Sequence, residues 1–307
     1  MNVKVLITGA AGLYGLHTVE ELMSRKDISV IYGLDDFSRG FPREEGFMSQ
    51  YRGSKLKYLN QKFQDITVKE LNTMDPDIVI HLAGYNSGKE SMNTPEEYFL
   101  NNEYGTFKLI QTLLRTRKRP FFVFASTTEV YAPRNVFAVT KLAAEQHIMA
   151  TGRWDNYPAV SLRFTSTYGE NQNIFGYTTV VTRFIDRALR NEPLIIYGSG
   201  EQTRDFMYVK DAARALSMAV THRKSLEGLV IDIVTGRLTT INGLADIIRE
   251  LTGSSSEIIK LPCRIGEFSA ELLETGAAAD VLNWSPNYDL RDGLKRTICW
   301  HKSLKSI

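Results

Sequence analysis

The sequence predicts an α/β fold, a doubly wound parallel sheet with a smaller C-terminal α/β lobe. Three observations carry that expectation. Strand-like runs at 3–7, 28–34, 77–82, 121–126 and 159–164 alternate with helix-like stretches at 13–24, 67–73, 96–116 and 138–150. Such alternation implies parallel strands joined by helical crossovers that cover both faces of the sheet. A glycine-rich turn, Thr8-Gly9-Ala10-Ala11-Gly12-Leu13-Tyr14-Gly15, joins the first strand to the first helix. The alternation then loosens past about residue 165, where turns such as Tyr168-Gly169-Glu170-Asn171 and Tyr197-Gly198-Ser199-Gly200 interrupt it. The expected large domain is 1–165 and the smaller lobe 166–307, with 203–220 and 231–235 left open to return to the large domain.

Each element has a local reason. Val3-Lys4-Val5-Leu6-Ile7 is a short β-branched run and reads as a buried strand. Leu16, Val19 and Leu22-Met23 recur at helical spacing after the turn. Strand, glycine turn and helix in this order form the Rossmann-type arrangement that binds a pyrophosphate. The glycines Gly9, Gly12 and Gly15 let the backbone approach, and the helix N-terminus supplies N–H groups and positive potential. The spacing is one residue longer between the first two glycines than G-x-G-x-x-G.

The second strand, Ile28 to Leu34, ends in Asp35-Asp36, about twenty residues past the last glycine. A carboxylate there hydrogen-bonds an adenosine ribose and repels a 2′-phosphate, which favours NAD. Arg39 lies close enough to keep NADP open. Asp65-Ile66 follows another strand-like piece and is expected at the adenine edge. Ligands in such sheets sit outside the carboxyl ends of the strands, where Gly9, Asp35, Ala83-Gly84, Ser126-Thr127 and Arg163 fall. His81 is expected to be structural or near the cofactor, and Trp154, Trp284 and Trp300 to be packing residues.

Composition narrows the function. With 307 residues, 43% of them hydrophobic, the chain can bury a substantial core. A net charge of +2 gives no electrostatic case for nucleic acid or an anionic membrane. Cys263 and Cys299 make neither a disulfide framework nor a metal cluster, so no metal is expected and a reducing cytoplasm is. Met1 leads directly into the first strand, and no apolar run is long enough to span a bilayer, so no signal peptide or membrane segment is expected.

A second chemical site opens a helix at Val136-Phe137-Ala138-Val139-Thr140-Lys141-Leu142-Ala143-Ala144-Glu145, just after Ser126-Thr127-Thr128-Glu129-Val130-Tyr131. Phe137 and Lys141, four apart, share a helix face. With these segments the chain resembles the extended short-chain dehydrogenase/reductase family, the nucleotide-sugar epimerases and dehydratases. The resemblance runs over nearly the whole chain. It takes in the Thr8–Gly15 turn, Asp35, His81-Leu82-Ala83-Gly84, Asn102 with Gly105-Thr106, and Arg163 with Tyr168-Gly169. It continues through Gly198-Ser199-Gly200-Glu201-Gln202-Thr203-Arg204-Asp205-Phe206, Tyr208-Val209 and Asp211.

The resemblance implies NAD as cofactor and a nucleoside-diphosphate sugar, most of all a UDP-sugar, as substrate. The implied reaction is C4 epimerisation through a transient 4-keto sugar. It also implies that Leu13, Tyr14, Leu82, Ala83, Gly84, Asn102, Ser126 and Lys141 contact the cofactor. Thr127 resembles the residue that hydrogen-bonds the sugar 4-hydroxyl, and Lys141 the lysine that lowers the pKa of a catalytic tyrosine. That tyrosine stands four residues before the lysine, and here the position is Phe137, which has no proton to exchange. Phe137 reads as an engineered Tyr→Phe change that traps bound substrate, the alternative being a natural protein without oxidoreductase chemistry.

Other substrate contacts follow from the same likeness. Glu129 matches an acid found in the dehydratases and decarboxylases of the family but absent from many 4-epimerases. The acid that precedes it in 4,6-dehydratases is Thr128 here. A uronic acid decarboxylase or a 4,6-dehydratase is thus the alternative reaction, and a catalytically silent binder of NAD or nucleotide sugar the alternative of another class. Arg204 and Arg264 resemble arginines on the nucleotide side, and Ser166 stands where relatives carry an Asn for the phosphate. Only five residues separate Tyr131 from Phe137, where relatives carry a longer loop. Relatives pair through two helices per subunit, so a homodimer is expected through 96–116 and 138–150. Leu100, Phe107, Leu109-Ile110 and Leu113-Leu114 carry more apolar surface there than one stripe needs.

Overall fold

A computed structural model describes residues 2–39, 51, 54–172, 178–263 and 269–304. Its centre is a seven-stranded sheet in the order β10-β6-β5-β4-β1-β2-β3. The strands are β1 Val3–Thr8, β2 Ile28–Asp35, β3 Leu56–Asn60, β4 Ile78–His81, β5 Phe121–Thr127, β6 Ala159–Phe164 and β10 Val230–Ile233. Every pairing in this sheet is parallel.

Successive side chains on a strand point to opposite faces, and both faces are buried. Val5 and Ile7 of β1 pack on one side with Leu16, Val19 and Leu22 of helix Leu13–Met23. Ala212, Ala215, Leu216 and Ala219 of helix Val209–His222 join the same layer. Leu6 points the other way, toward Leu109 and Leu113 of helix Gly105–Leu113 and Ala144 and Ile148 of helix Val136–Asp155. This is a doubly wound, Rossmann-type α/β fold. The chain winds outward from β1 to β3, then crosses back so that β4 lies on the other side of β1. A crevice opens at the carboxyl ends of strands where the order reverses in this way.

The remaining strands belong to two small sheets. One has the order β11-β9-β7, with β7 Ser166–Tyr168, β9 Thr203–Tyr208 and β11 Leu238–Thr240. The other pairs β8 Leu194–Tyr197 with β12 Ile258–Leu261 in parallel. Phe184, Ile185, Leu244, Ile248 and Leu294, from three helices, fill the core between them.

The structure departs from the sequence reading in several places. β3 is the strand-like piece expected ahead of Asp65-Ile66, here with its bounds. Its residues, Leu-Lys-Tyr-Leu-Asn, are none of them fully buried, as suits a sheet edge. The expected helix 96–116 is instead a short helix Pro95–Tyr98, a π-helical turn Phe99–Tyr104 and the helix Gly105–Leu113. Helix 138–150 is longer, Val136–Asp155. Asn135 caps its start by accepting from the Ala138 N–H at 2.8 Å, and Asn156 ends it in the left-handed region. Trp284 is fully buried and donates to the Asp211 carbonyl at 3.0 Å. Trp154 is not a packing residue: at the last turn of its helix it is 88% exposed. Among the described residues no helix is long and apolar enough to cross a membrane.

Candidate functional site

A cleft of about 790 Å³ lies at the carboxyl ends of the central strands and is shared with the small lobe. At one end the wall is the glycine turn, with Gly9, Gly12, Leu13, Tyr14 and Gly15 all in it. Gly9 has φ +73°, and a Cβ there would come 2.6 Å from the Ala83 nitrogen. A Cβ on Gly15 would overlap the Gly9 carbonyl. The turn therefore tolerates no side chain at either position. Gly12 precedes the helix without a side-chain cap, and the first turn holds no acid, so its amide groups remain available to an anion. Tyr14 is anchored by donating to Thr167 at 2.7 Å, with its ring against Phe164.

The Asp35 carboxylate ends β2 in the wall of the cleft. It also braces the turn, accepting from the Ala11 and Phe37 amides, each at 2.9 Å. Burial pushes its pKa above the usual carboxylate value. Asp36 lines the same end and accepts from the Ser38 amide and hydroxyl. These features fit a dinucleotide: a side-chain-free cradle and an uncapped helix start for the pyrophosphate, and a carboxylate at the end of the second strand for the ribose. Arg39, which left NADP open on sequence, is held by Glu90 at 2.6 Å and stacks 3.6 Å from the centre of the Tyr85 ring.

The end of β4 supplies Leu82, Ala83 and Gly84 to the wall. Beneath it His81 is fully buried. Thr106 donates to the Asn102 carbonyl at 2.6 Å, so its oxygen accepts from His81 Nε2 at 2.9 Å. Thr8 then donates to Nδ1 at 2.6 Å. Burial holds the imidazole well below its ordinary pKa, so it is neutral and structural.

Three expected cofactor contacts lie elsewhere. Asn102 does not line the cleft. It clamps the Tyr85 backbone, accepting from the N–H at 2.8 Å and donating to the carbonyl at 2.9 Å. Ile66 is buried in the core, and Asp65 faces Lys108 at 3.9 Å on the surface. At that edge the wall is made by Gln61 to Gln64 instead. Alternation on short turns cannot tell which side chain faces inward, and here the 3-10 turn Phe63–Asp65 rotates Asp65 away.

The middle of the cleft holds the second site. Thr127 ends β5, and its oxygen accepts from the Glu129 N–H at 3.2 Å, which leaves its proton to donate. Phe137, in the first turn of its helix, is 8% exposed and forms wall. Lys141 is one turn on, with its ammonium 4.2 Å from the centre of the Phe124 ring. Burial pushes its pKa down to about 7, opposed by Glu145. Glu145 is itself held by Arg163 at 3.0 Å and Ser161 at 2.7 Å. The Ser126 hydroxyl is buried beside it and makes no hydrogen bond of ordinary geometry among the described residues.

Thr128 and Glu129 complete this wall. The Glu129 carboxylate accepts from Asn135 Nδ2 at 3.1 Å, and burial raises its pKa against the pull of Asn135 and Arg204. Arg204 lines the small-lobe side with Ser166 and donates to the Thr203 carbonyl at 2.8 Å. Arg264 lies outside the described residues. Sequence reasoning missed Tyr85, Arg134 and Arg183, which also line the cleft, as does Tyr131 at the end of the Ser126–Tyr131 segment. Tyr131 donates to Asp232 at 2.7 Å under the Arg163 guanidinium. Tyr85 follows the end of β4, whereas Arg183 lies within helix Val180–Ala188, where no motif signals it.

Comparison with known proteins agrees with this geometry. A model of the NAD dependent epimerase/dehydratase family matches residues 5–233. A Methanocaldococcus jannaschii protein provisionally named UDP-glucose 4-epimerase is 30% identical over 97% of this chain and 98% of its own. A UDP-N-acetyl-alpha-D-glucosaminuronate decarboxylase of Bacillus cytotoxicus is 28% identical, over the full length of both. The solved structure of UDP-glucuronic acid 4-epimerase from Bacillus cereus, in complex with UDP-glucuronic acid and NAD, superposes with a TM-score of 0.91. It is 27% identical, over 98% of this chain and all of that one. With its glycine cradle, its Asp35 and the paired helix positions 137 and 141 in one cleft, this chain belongs to the NAD-dependent epimerase/dehydratase family.

Proposed function

We propose that this chain binds NAD and a UDP-sugar and epimerises the sugar at C4 through a 4-keto sugar, and that Phe137 makes its turnover slow. NAD, when bound, supplies the reversible hydride acceptor for C4. The chain's own part is binding and proton handling. Arg204, on the small-lobe wall of the cleft, would hold the diphosphate, since a planar guanidinium suits two phosphate oxygens. Thr127 donates to the sugar 4-oxygen and orients it. Phe137 occupies the acid/base position without a proton to take or give, so the O4 proton leaves only by slower routes. The observation that carries this reading is one cleft lined by the glycine turn, Thr127, Phe137 and Lys141 together.

Glu129 favours a second reading. A buried carboxylate with a raised pKa in the wall of the same cleft suits decarboxylation of a UDP-uronic acid or a 4,6-dehydration. The proposal extends to a homodimer: Leu100, Tyr104, Phe107 and Val139 expose apolar surface on the two helical segments that relatives are expected to pair through. Cys263 and Cys299 form no disulfide, which suits a reducing cytoplasm.

The test incubates Phe137→Tyr with NAD and a panel of UDP-, GDP-, CDP- and dTDP-sugars, uronic acids included, and reads products by NMR. A new sugar isomer is expected. Carbon dioxide with a pentose would replace epimerisation by decarboxylation. A folded, NAD-binding variant that converts nothing would favour a silent binder.

A further inference from the structure

The ribose end of the cleft holds an arginine that never reaches the ribose edge unopposed. Arg39 follows Asp35, Asp36 and Ser38, and all four line the cleft. A guanidinium in that position is the chemistry that accepts a 2′-phosphate. Here its Nη1 donates to Glu90 Oε2 at 2.6 Å, its plane covers the Tyr85 ring at 3.6 Å, and Glu97 lies 3.7 Å from Nη2.

Glu90 is well placed to hold it. Its side chain is 11% exposed. The Ser87 hydroxyl accepts from its backbone N–H at 3.2 Å, and the Tyr98 hydroxyl donates to Oε2 at 3.0 Å. Tyr98 also accepts from the Ser87 N–H at 3.0 Å. Tyr85 is fixed in turn by the two Asn102 hydrogen bonds to its backbone. Five residues on the Gly84-to-Asn102 side thus form a rigid receptor for one guanidinium. A hydrogen-bonded ion pair whose carboxylate is largely shielded from water is stronger than a fully exposed pair.

We infer that Glu90 is a positioning residue for dinucleotide choice: by drawing Arg39 onto Tyr85, it withholds from a 2′-phosphate the cation that would otherwise receive it. Asp35 excludes that phosphate by repulsion, and Glu90 excludes it by engaging its natural partner. The inference rests on this end of the cleft taking the adenosine ribose.

The experiment measures the dissociation constants of NAD and NADP for the parent chain, Glu90→Gln, Arg39→Met and the double variant by calorimetry, with thermal melts to check folding. NAD binding to the parent tests the ribose assignment separately. Glu90→Gln keeps the size of the side chain and removes its charge. It is expected to lower the NADP/NAD ratio of dissociation constants about tenfold, the size of one charge-assisted hydrogen bond to phosphate. Asp35 remains, so the preference narrows without inverting. The double variant is expected to return to the parent ratio. Arg39→Met alone, at a side chain 35% exposed, is expected to leave the ratio unchanged. An unchanged ratio in Glu90→Gln, or the same gain with Arg39 absent, would overturn the inference. So would a loss of NADP binding relative to NAD in Arg39→Met, because Arg39 would then already serve the phosphate; that variant decides the matter if Glu90→Gln fails to fold.

Discussion

Phe137 and Lys141 define this protein at the scale of the residue. The position that should carry a phenol carries a bare ring, and the ammonium one turn away lies over a second ring, Phe124. Lys141 therefore has its charge buried without the oxygen that would sit beside it, and its pKa falls to about 7 from 10.5. The consequence for stability has a definite sign. Between those two values the unfolded chain holds a proton that the folded chain has released, so Lys141 makes stability rise with pH across that window. Below about pH 7 both states are protonated and the full cost of burying the charge remains. Denaturant unfolding near pH 7 and near pH 9 is expected to show a larger gain for the parent than for Lys141→Met, in which the group is absent. An equal gain in both would mean that Lys141 stays charged when folded. Residues whose chemistry is local, such as Gly9, Gly15 and Asp35, were legible in the sequence, because a turn and an anion site need those types there. Asp65, Asn102 and Trp154 were not, because which way each side chain faces is set by packing from other segments.

The strands of the central sheet were legible at the scale of the element, since parallel strands buried on both faces read as apolar runs. β3 was legible only as a strand-like piece without bounds ahead of Asp65, because an edge strand need not be apolar. The π-helical turn Phe99–Tyr104 escaped for a different reason: an extra residue per turn shifts the apolar face without breaking the pattern. The residues expected to supply surplus apolar surface divide between a buried and an exposed helix face. Leu109, Ile110 and Leu113 are buried in the sheet layer, whereas Leu100 is 47% and Phe107 39% exposed. The proposed dimer face is thus narrower than the sequence implied, with Tyr104 and Val139 beside those two. Leu100→Glu combined with Phe107→Glu is expected to turn a homodimer into a monomer by light scattering at micromolar concentration, with the fold retained by circular dichroism. A parent that is already monomeric would contradict the proposed pairing.

The parts meet in one cleft at the scale of the whole molecule. The reversal of strand order beside β1 opens it, the small lobe closes its far side with Ser166 and Arg204, and the two chemical motifs face each other across it. The organisation around that cleft was legible because alternation and glycine turn both point to the same strand ends. The central claim is that binding is intact while the proton-transfer position is empty of a proton. Its most direct test is the turnover of the parent against Phe137→Tyr on the UDP-sugar that the variant converts, with dissociation constants measured for both. Turnover is expected to rise by about two to four orders of magnitude in Phe137→Tyr, with sugar and NAD affinities little changed. Equal turnover in the two proteins would contradict it and would move the acid/base role to Glu129 or Tyr131.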